Sequence, residues 1–406
     1  MNNRSTITRS TLSLAIVAAL TAGCHSSGGG GDEEQSAPTP QKVVVATVAP
    51  DYSSGAHAVF NTESPYDGQT DLAPTSSDIT VVCHGDEFFR IERFTGENVT
   101  RFDINQPDAP LAQLSTKDAS GVETANSNPH DLVFASDNKA YLLRYGSPKA
   151  WIVDPKASTD DAFKTGELDL SAYSVDGAPE MERGLIVDGK LYILLQRFDQ
   201  SFAPQDAYVA VFDTATDSEI DTRPDQDGLK GILLPIKNPS DIEYNAETGL
   251  IYVQGSGRFG FAPQEPEYTG GIATIDPANQ YATQLLVDDG DAQNHPLGQI
   301  TDMEIVSADK GYLVGYAGFN DNTLYSFNPM TGAVDSDDHG VPQPVAGIEH
   351  TPIGGLAHDA QGQLWVGIAD STDPGLELLN GEDGSVIEQR LSTTLNPSTI
   401  AICDAQ

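Results

Sequence analysis

Val209-Ala210-Val211-Phe212-Asp213 is a short apolar run closed by an aspartate, and the chain writes this pattern seven times. The other copies read HAVFN (57–61), VTRFD (99–103), AWIVD (150–154), IATID (272–276), LYSFN (324–328) and LELLN (376–380). Their closing residues, Asn61, Asp103, Asp154, Asp213, Asp276, Asn328 and Asn380, are spaced by 42, 51, 59, 63, 52 and 52 residues. That is too regular for chance and too uneven for a rigid solenoid. A repeat of this length, rich in strands and turns, predicts an all-β, seven-bladed β-propeller with one blade per repeat.

A second register supports the first. An acidic residue opens an apolar strand and an aromatic follows 10 or 11 positions later: Asp78 to Phe89, Asp131 to Tyr141, Glu182 to Tyr192, Asp241 to Tyr252, Asp302 to Tyr312. The sixth copy has Gly355 ahead of Trp365. Turn residues such as Ser136-Asp137-Asn138-Lys139 separate the two strands of each copy. At the C-terminus, Asn396-Pro397-Ser398-Thr399-Ile400-Ala401-Ile402-Cys403 reads as the opening of a blade whose later strands lie near residues 42–72. The C-terminal strand therefore joins the N-terminal blade and closes the ring, which removes the sheet edges an open array would expose. Cys83 and Cys403 then end inner strands of adjacent blades, toward one face. A disulfide between them is expected if the chain is exported, with two reduced, buried thiols as the alternative.

Residues 42–406 resemble the YVTN family of β-propeller repeat proteins. The likeness is carried by Asn128-Pro129-His130-Asp131-Leu132-Val133 with Lys139-Ala140-Tyr141-Leu142, by Lys190-Leu191-Tyr192-Ile193, by Gly249-Leu250-Ile251-Tyr252-Val253 and by Asn328-Pro329-Met330-Thr331-Gly332. Asp51-Tyr52-Ser53-Ser54-Gly55 is similar to the family's first outer hairpin, while the tetrapeptide that names the family occurs nowhere intact. The resemblance implies a propeller in the cell envelope and no particular chemistry.

Ahead of the repeats, residues 1–23 read as a secretory signal: Arg4 and Arg9, then an apolar run from Leu12 to Leu20 that is too short to span a bilayer. Leu20-Thr21-Ala22-Gly23-Cys24 resembles a bacterial lipobox, with Thr21 where that motif usually has Leu. This implies cleavage before Cys24, acylation of its thiol, and attachment to a lipid bilayer. His25 follows where an Asp would resemble an inner-membrane retention signal, so the outer membrane is favoured. The stretch 24–41, with its Gly run, Asp-Glu-Glu and prolines, reads as a flexible tether.

The formal charge of −39, from 60 acidic against 21 basic residues, opposes nucleic acid as a partner. Against that background, Arg followed by an aromatic recurs after the second strand of four consecutive blades: Arg93-Phe94, Arg144-Tyr145, Arg197-Phe198 and Arg258-Phe259. In an antiparallel blade the first strand begins where the second ends, so these cations share a rim with the openers Asp78, Asp131, Glu182, Asp241 and Asp302. The guanidinium groups either pair with those carboxylates and hold blade to blade, or line the mouth and bind an anionic or aromatic ligand. The longest insertions follow Arg197 and Arg258, each carrying Phe-Ala-Pro-Gln. They place Phe198, Phe202, Phe259, Phe261 and Tyr268 on the rim between blades four and five, the expected ligand-binding edge.

There is no Gly-x-Ser-x-Gly elbow, zinc-binding His-Glu-x-x-His, P-loop or dinucleotide fingerprint, and no histidine pair has clean ligand spacing. No metal or other cofactor is expected. Asp225-Gln226-Asp227-Gly228 and Asp288-Asp289-Gly290-Asp291 lack the terminal Glu of a calcium loop and read as acidic turns. The leading expectation is an envelope-anchored, non-enzymatic propeller that binds an envelope protein or a small anionic or aromatic ligand, in support of outer-membrane uptake or assembly. The alternatives are a metal-dependent, lactonase-like hydrolase with a central-channel site, and a purely structural envelope protein.

Overall fold

The recurrent Asp or Asn is a turn former. The computed structural model describes residues 40–118, 127–226, 228–260 and 264–405, and in it the closing residue of the motif ends or directly follows the third strand of each blade. In six of the seven copies its side-chain oxygen accepts a backbone N–H two residues on. Asp103 takes Asn105 at 2.7 Å, Asp154 takes Lys156 at 2.9 Å, and Asp213 takes Ala215 at 3.0 Å. Asp276, Asn328 and Asn380 do the same with Ala278, Met330 and Glu382. The side chain substitutes for a backbone turn and reverses the chain into the fourth strand.

Seven antiparallel sheets follow, one per repeat. Blade 1 orders its strands Asn396–Asp404, Gln41–Val48, Gly55–Asn61 and Gly68–Thr75 from the ring axis outward. The C-terminal strand pairs with the first, Val43 opposite Ile402 and Val45 opposite Ile400, so the closure expected from the sequence is realised. The inner strands of blades 2 to 7 are Ile79–His84, Pro129–Ser136, Met181–Val187, Pro239–Asn245, Gln299–Ile305 and Ile353–His358. Blade 6 has three full strands; the segment from Val334 to Thr351 covers its outer edge through single bridges at Phe327, Tyr325 and Asn322. Cys83 and Cys403 form a disulfide between the inner strands of blades 2 and 1, across 320 residues of sequence and with Cα atoms 5.1 Å apart.

The core is distributed over the seams. Each of seven apolar clusters among the described residues joins two neighbouring blades, as Leu194 and Val209 of blade 4 meet Ile251 and Val253 of blade 5. The second-strand aromatics Phe89, Tyr141, Tyr192, Tyr252, Tyr312 and Trp365 are all buried there. Three of the tyrosines also tie their polar tips across the seam. Tyr141 donates to Asp217 at 2.6 Å, Tyr252 to the Pro329 carbonyl at 3.4 Å, and Tyr312 to the Gly381 carbonyl at 3.0 Å. An aromatic with a polar end suits this place, where a large apolar body must be buried beside a turn of the next blade.

The opener positions carry a feature the sequence pattern did not disclose. Register shifts mark β-bulges at Pro129/Asp131, Met181/Gly184, Pro239/Asp241, Ile300/Asp302 and Ile353/Gly355, in the inner strands of blades 3 to 7. A bulge re-aims side chains at a sheet edge. Blade 2 pairs its inner strand regularly from Ile79 to His84, and Asp78 stands just ahead of it.

Candidate ligand-binding site

The rim between blades 3, 4 and 5 is built by two loops that are internally braced. After the second strand of blade 4, Phe198 bridges Pro204, and the Asp199 carboxylate accepts the backbone N–H of Ser201 at 2.8 Å and of Ala203 at 3.1 Å. This tight loop holds Phe202 at φ +57°, with 81% of its surface in solvent. A bulky residue in the left-handed region is uncommon, and here the loop presents a ring outward at a conformational cost. In blade 5, Arg258 bridges Glu267 through the backbone, and Gln299 of blade 6 donates to the carbonyls of Ser256 at 2.7 Å and Arg258 at 3.0 Å. Gly257 has φ +66°, and a Cβ there would lie 2.4 Å from the Glu267 carbonyl, so the loop requires glycine.

These loops enclose a cavity of about 480 Å³ walled by Tyr145, Phe198, Phe202, Asn238, Arg258 and Phe259. Phe259 is held edge-on by Tyr316, with ring centres 5.3 Å apart. Tyr145 stacks on His130 at 4.2 Å and donates to Gln196 at 2.8 Å. The structure thus gathers Phe198, Phe202, Phe259 and Arg258 at the edge expected from the sequence. Tyr268 instead stacks on His295 at 4.1 Å and does not line this cavity. Phe261 and Cys24 lie outside the described residues, as does the segment 1–39.

The four rim arginines have four different fates. Arg93 pairs with the opener of its own blade, Asp78, at 2.7 Å. Arg144 is buried over Trp151, donates to Asp118 at 2.9 Å and Ser147 at 3.2 Å, and does not reach the cavity. Arg197 donates to the carbonyls of Tyr173 at 2.8 Å and Asp206 at 2.5 Å, fixing its own loop. Arg258 pairs with Glu267 at 2.6 Å while keeping a place in the cavity wall. Only the first follows the expected pairing with an opener.

The remaining openers turn inward. Glu182, Asp241 and Asp302 line a second cavity of about 590 Å³ at the inner strands, together with Arg183, Glu243, Glu304 and His358. Asp131 is satisfied by the N–H groups of Leu132 at 2.8 Å and Gly184 at 2.9 Å. Glu182 binds His130 at 2.8 Å, and Glu304 binds His358 at 2.5 Å. Burial, reinforced by the charge of Glu304, pushes the Asp241 carboxyl up to about 6, with the Arg183 charge opposing. Burial and the charges of Glu304 and Asp241 likewise raise Glu243 well above the usual range. Sequence reasoning missed Arg183, Glu243 and Glu304 as channel residues. A usable signal lay in Asp241-Ile242-Glu243 and Asp302-Met303-Glu304, because alternate residues of a strand share a face. Among the described residues no group of three or more His, Cys, Asp or Glu is arranged to hold a metal ion, and no helix is long and apolar enough to cross a membrane.

No family model matches the chain, and no curated protein matches it by sequence. Solved structures do. A protein from Lactobacillus plantarum superposes with a TM-score of 0.57 at 13% identity, covering 89% of this chain and 99% of that one. A streptogramin B lyase superposes with a TM-score of 0.50 at 10% identity, covering 82% and 91%. AztD from Citrobacter koseri gives a TM-score of 0.48 at 13% identity over 90% and 98%. At such identities the likeness is one of fold. A propeller serves binding in one protein and catalysis in another, so the role must be argued from the site.

Proposed function

We propose that the protein is a YVTN-type propeller of the cell envelope, held to the outer membrane through acylated Cys24, that binds an anionic aromatic group at the rim cavity. The group belongs to a small molecule or to the exposed surface of an envelope partner. One observation carries the reading: four aromatic rings and one guanidinium converge on a cavity of about 480 Å³, and one of those rings, Phe202, is held outward in a strained conformation. Rings supply apolar area at little entropic cost, and Arg258 supplies both charge and a flat surface for stacking. The Asp199 loop, braced by its own hydrogen bonds, limits the ordering that binding must impose. The anchor rests on the sequence alone, and the tether of residues 24–41 would let the rim stand clear of the lipid.

Isothermal titration of the full chain with naphthalene-2-sulfonate tests the site. One saturable site is expected, and Phe202→Ala with Phe259→Ala should weaken it at least tenfold while the melting temperature holds. Equal binding by the double variant would remove the rim assignment. For the anchor, Cys24→Ser should move the protein from the membrane to the soluble fraction and abolish palmitate labelling.

A further inference from the structure

The inner cavity is two-sided. Blades 4, 5 and 6 contribute Glu182, Asp241, Glu243, Asp302 and Glu304; blades 7, 1 and 2 contribute Leu356, Ala357, Ile400, Ile402 and Ile79. The bulges are the local cause. In blade 4 the register passes from Met181 opposite Leu195 to Gly184 opposite Ile193, leaving the consecutive residues Glu182 and Arg183 outside the regular pairing, and both line the cavity. In blades 5 and 6 the bulge sets Asp241 with Glu243, and Asp302 with Glu304, on the channel face. The same step in blade 7 carries Gly355 and Ala357, so that wall brings no carboxylate; its His358 is held by Glu304 at 2.5 Å, and Arg93 of blade 2 by Asp78 at 2.7 Å.

Within this cavity Arg183 is the odd group. It senses Asp131, Asp241, Glu182 and Asp302 electrostatically, yet it closes no hydrogen bond with any described residue and no ion pair within 4.0 Å. Every other arginine of the inner and rim positions discussed above is anchored by named partners. An arginine fork offers up to five donors matched to a carboxylate. The carboxylates around it outnumber it: beyond the effect of burial, Glu304 raises the proton affinity of Asp241, Glu243 and Asp302, and Asp241 raises that of Glu243 and Asp302, a strain that a second cation would relieve. A guest is therefore asked for an anionic end, a cationic end and an apolar body.

We propose that the central cavity binds a zwitterion: an α-amino acid or short peptide with an apolar side chain. Its carboxylate meets Arg183, its ammonium faces Asp241, Asp302 and Glu304, and its side chain lies against Leu356, Ile400 and Ile402. The two charges of the guest are carried on one skeleton, so neither a simple amine nor a simple acid satisfies both walls. A cavity of about 590 Å³ lies within the size range of small-molecule sites. This site is separate from the rim cavity and stands whether or not the rim binds anything.

Calorimetry on the full chain with leucine, phenylalanine and leucyl-leucine, beside leucinamide and 4-methylpentanoate, tests it. At least one zwitterion should bind at least tenfold more tightly than both single-charge analogues. Arg183→Met should erase the preference of leucine over leucinamide, and Asp302→Asn with Asp241→Asn should erase its preference over 4-methylpentanoate. The pair of variants guards against misfolding of either, and matching melts are the control. Binding of leucinamide as tight as leucine would overturn the proposal in favour of a plain amine site, and no binding by any zwitterion would overturn it outright. Loss of naphthalene-2-sulfonate binding in the rim variant leaves this result untouched, so the two sites fail independently.

Discussion

Asp78 and Asp241 occupy the same place in the repeat, each opening the first strand of its blade, and they lead opposite lives. Asp78 precedes a regular inner strand, stays at the rim and is met by Arg93 at 2.7 Å. Asp241 sits at a bulge, turns into the channel, and faces Glu304 and Asp131 with Arg183 as counter-charge. One extra residue in the ladder decides which it will be. A repeat specifies where an acidic side chain leaves the backbone; the local register specifies whether it holds the ring together or burdens it.

The contrast extends to the two halves of the ring and can be broken at several strengths. The largest effect is expected on the regular side. Cys83→Ser opens a cross-link spanning 320 residues and should cost up to about 5 kcal/mol in the chain-entropy limit. Urea unfolding should then show the C-terminal strand leaving first, by earlier hydrogen exchange at Ile400 and Ile402. Loss of less than about 1 kcal/mol would mean that the backbone pairing of Val43 with Ile402 closes the ring unaided.

On the acidic side the sign reverses. The folded-state pKa of Asp241 is raised to about 6, so its cost to the fold is absent at low pH, grows as pH rises past the ordinary carboxyl value, and is complete above about 6. Asp241→Asn keeps the acceptor for the Ile242 N–H and removes the charge. It should therefore stabilise the protein by up to about 3 kcal/mol at pH 7.5 and change little at pH 3.5. Denaturant midpoints at the two pH values check this, and a destabilised variant at pH 7.5 would show that Arg183 more than offsets the neighbouring carboxylates.

The smallest effect belongs to Asp78→Asn. Its pair with Arg93 is about one-third exposed on each side, and such pairs contribute at most about 1 kcal/mol, less in high salt. A loss larger than that of breaking the disulfide would invert the comparison.

Much of the fold was legible because it rests on local chemistry repeated seven times. The Asp or Asn closing six of the seven third strands is visible in sequence because its side chain performs a turn that the backbone two residues on completes. The second-strand aromatics are visible because six of the seven blades fill a seam with one large side chain from that strand. The rim loops were legible as insertions with Phe-Ala-Pro-Gln, and the structure draws Phe198, Phe202, Phe259 and Arg258 into one cavity. The partners of the arginines were not legible. Arg144 finds Asp118 and Trp151, Arg197 finds two backbone carbonyls, and nothing in their common Arg-aromatic spelling distinguishes them.

Sequence alone determined the number of blades, their order, the closing strand and the cysteines that meet across it. These follow from periodicity and from which residues can form turns or fill seams, and both are short-range properties of the chain. Only the tertiary structure decided which opener carboxylates pair and which crowd the channel, and that Arg183 enters that channel beside Glu182. Those outcomes depend on one-residue bulges and on charges brought together from strands some 60 residues apart. Electrostatic fate is set by neighbours in space, and a repeat encodes neighbours only along the chain.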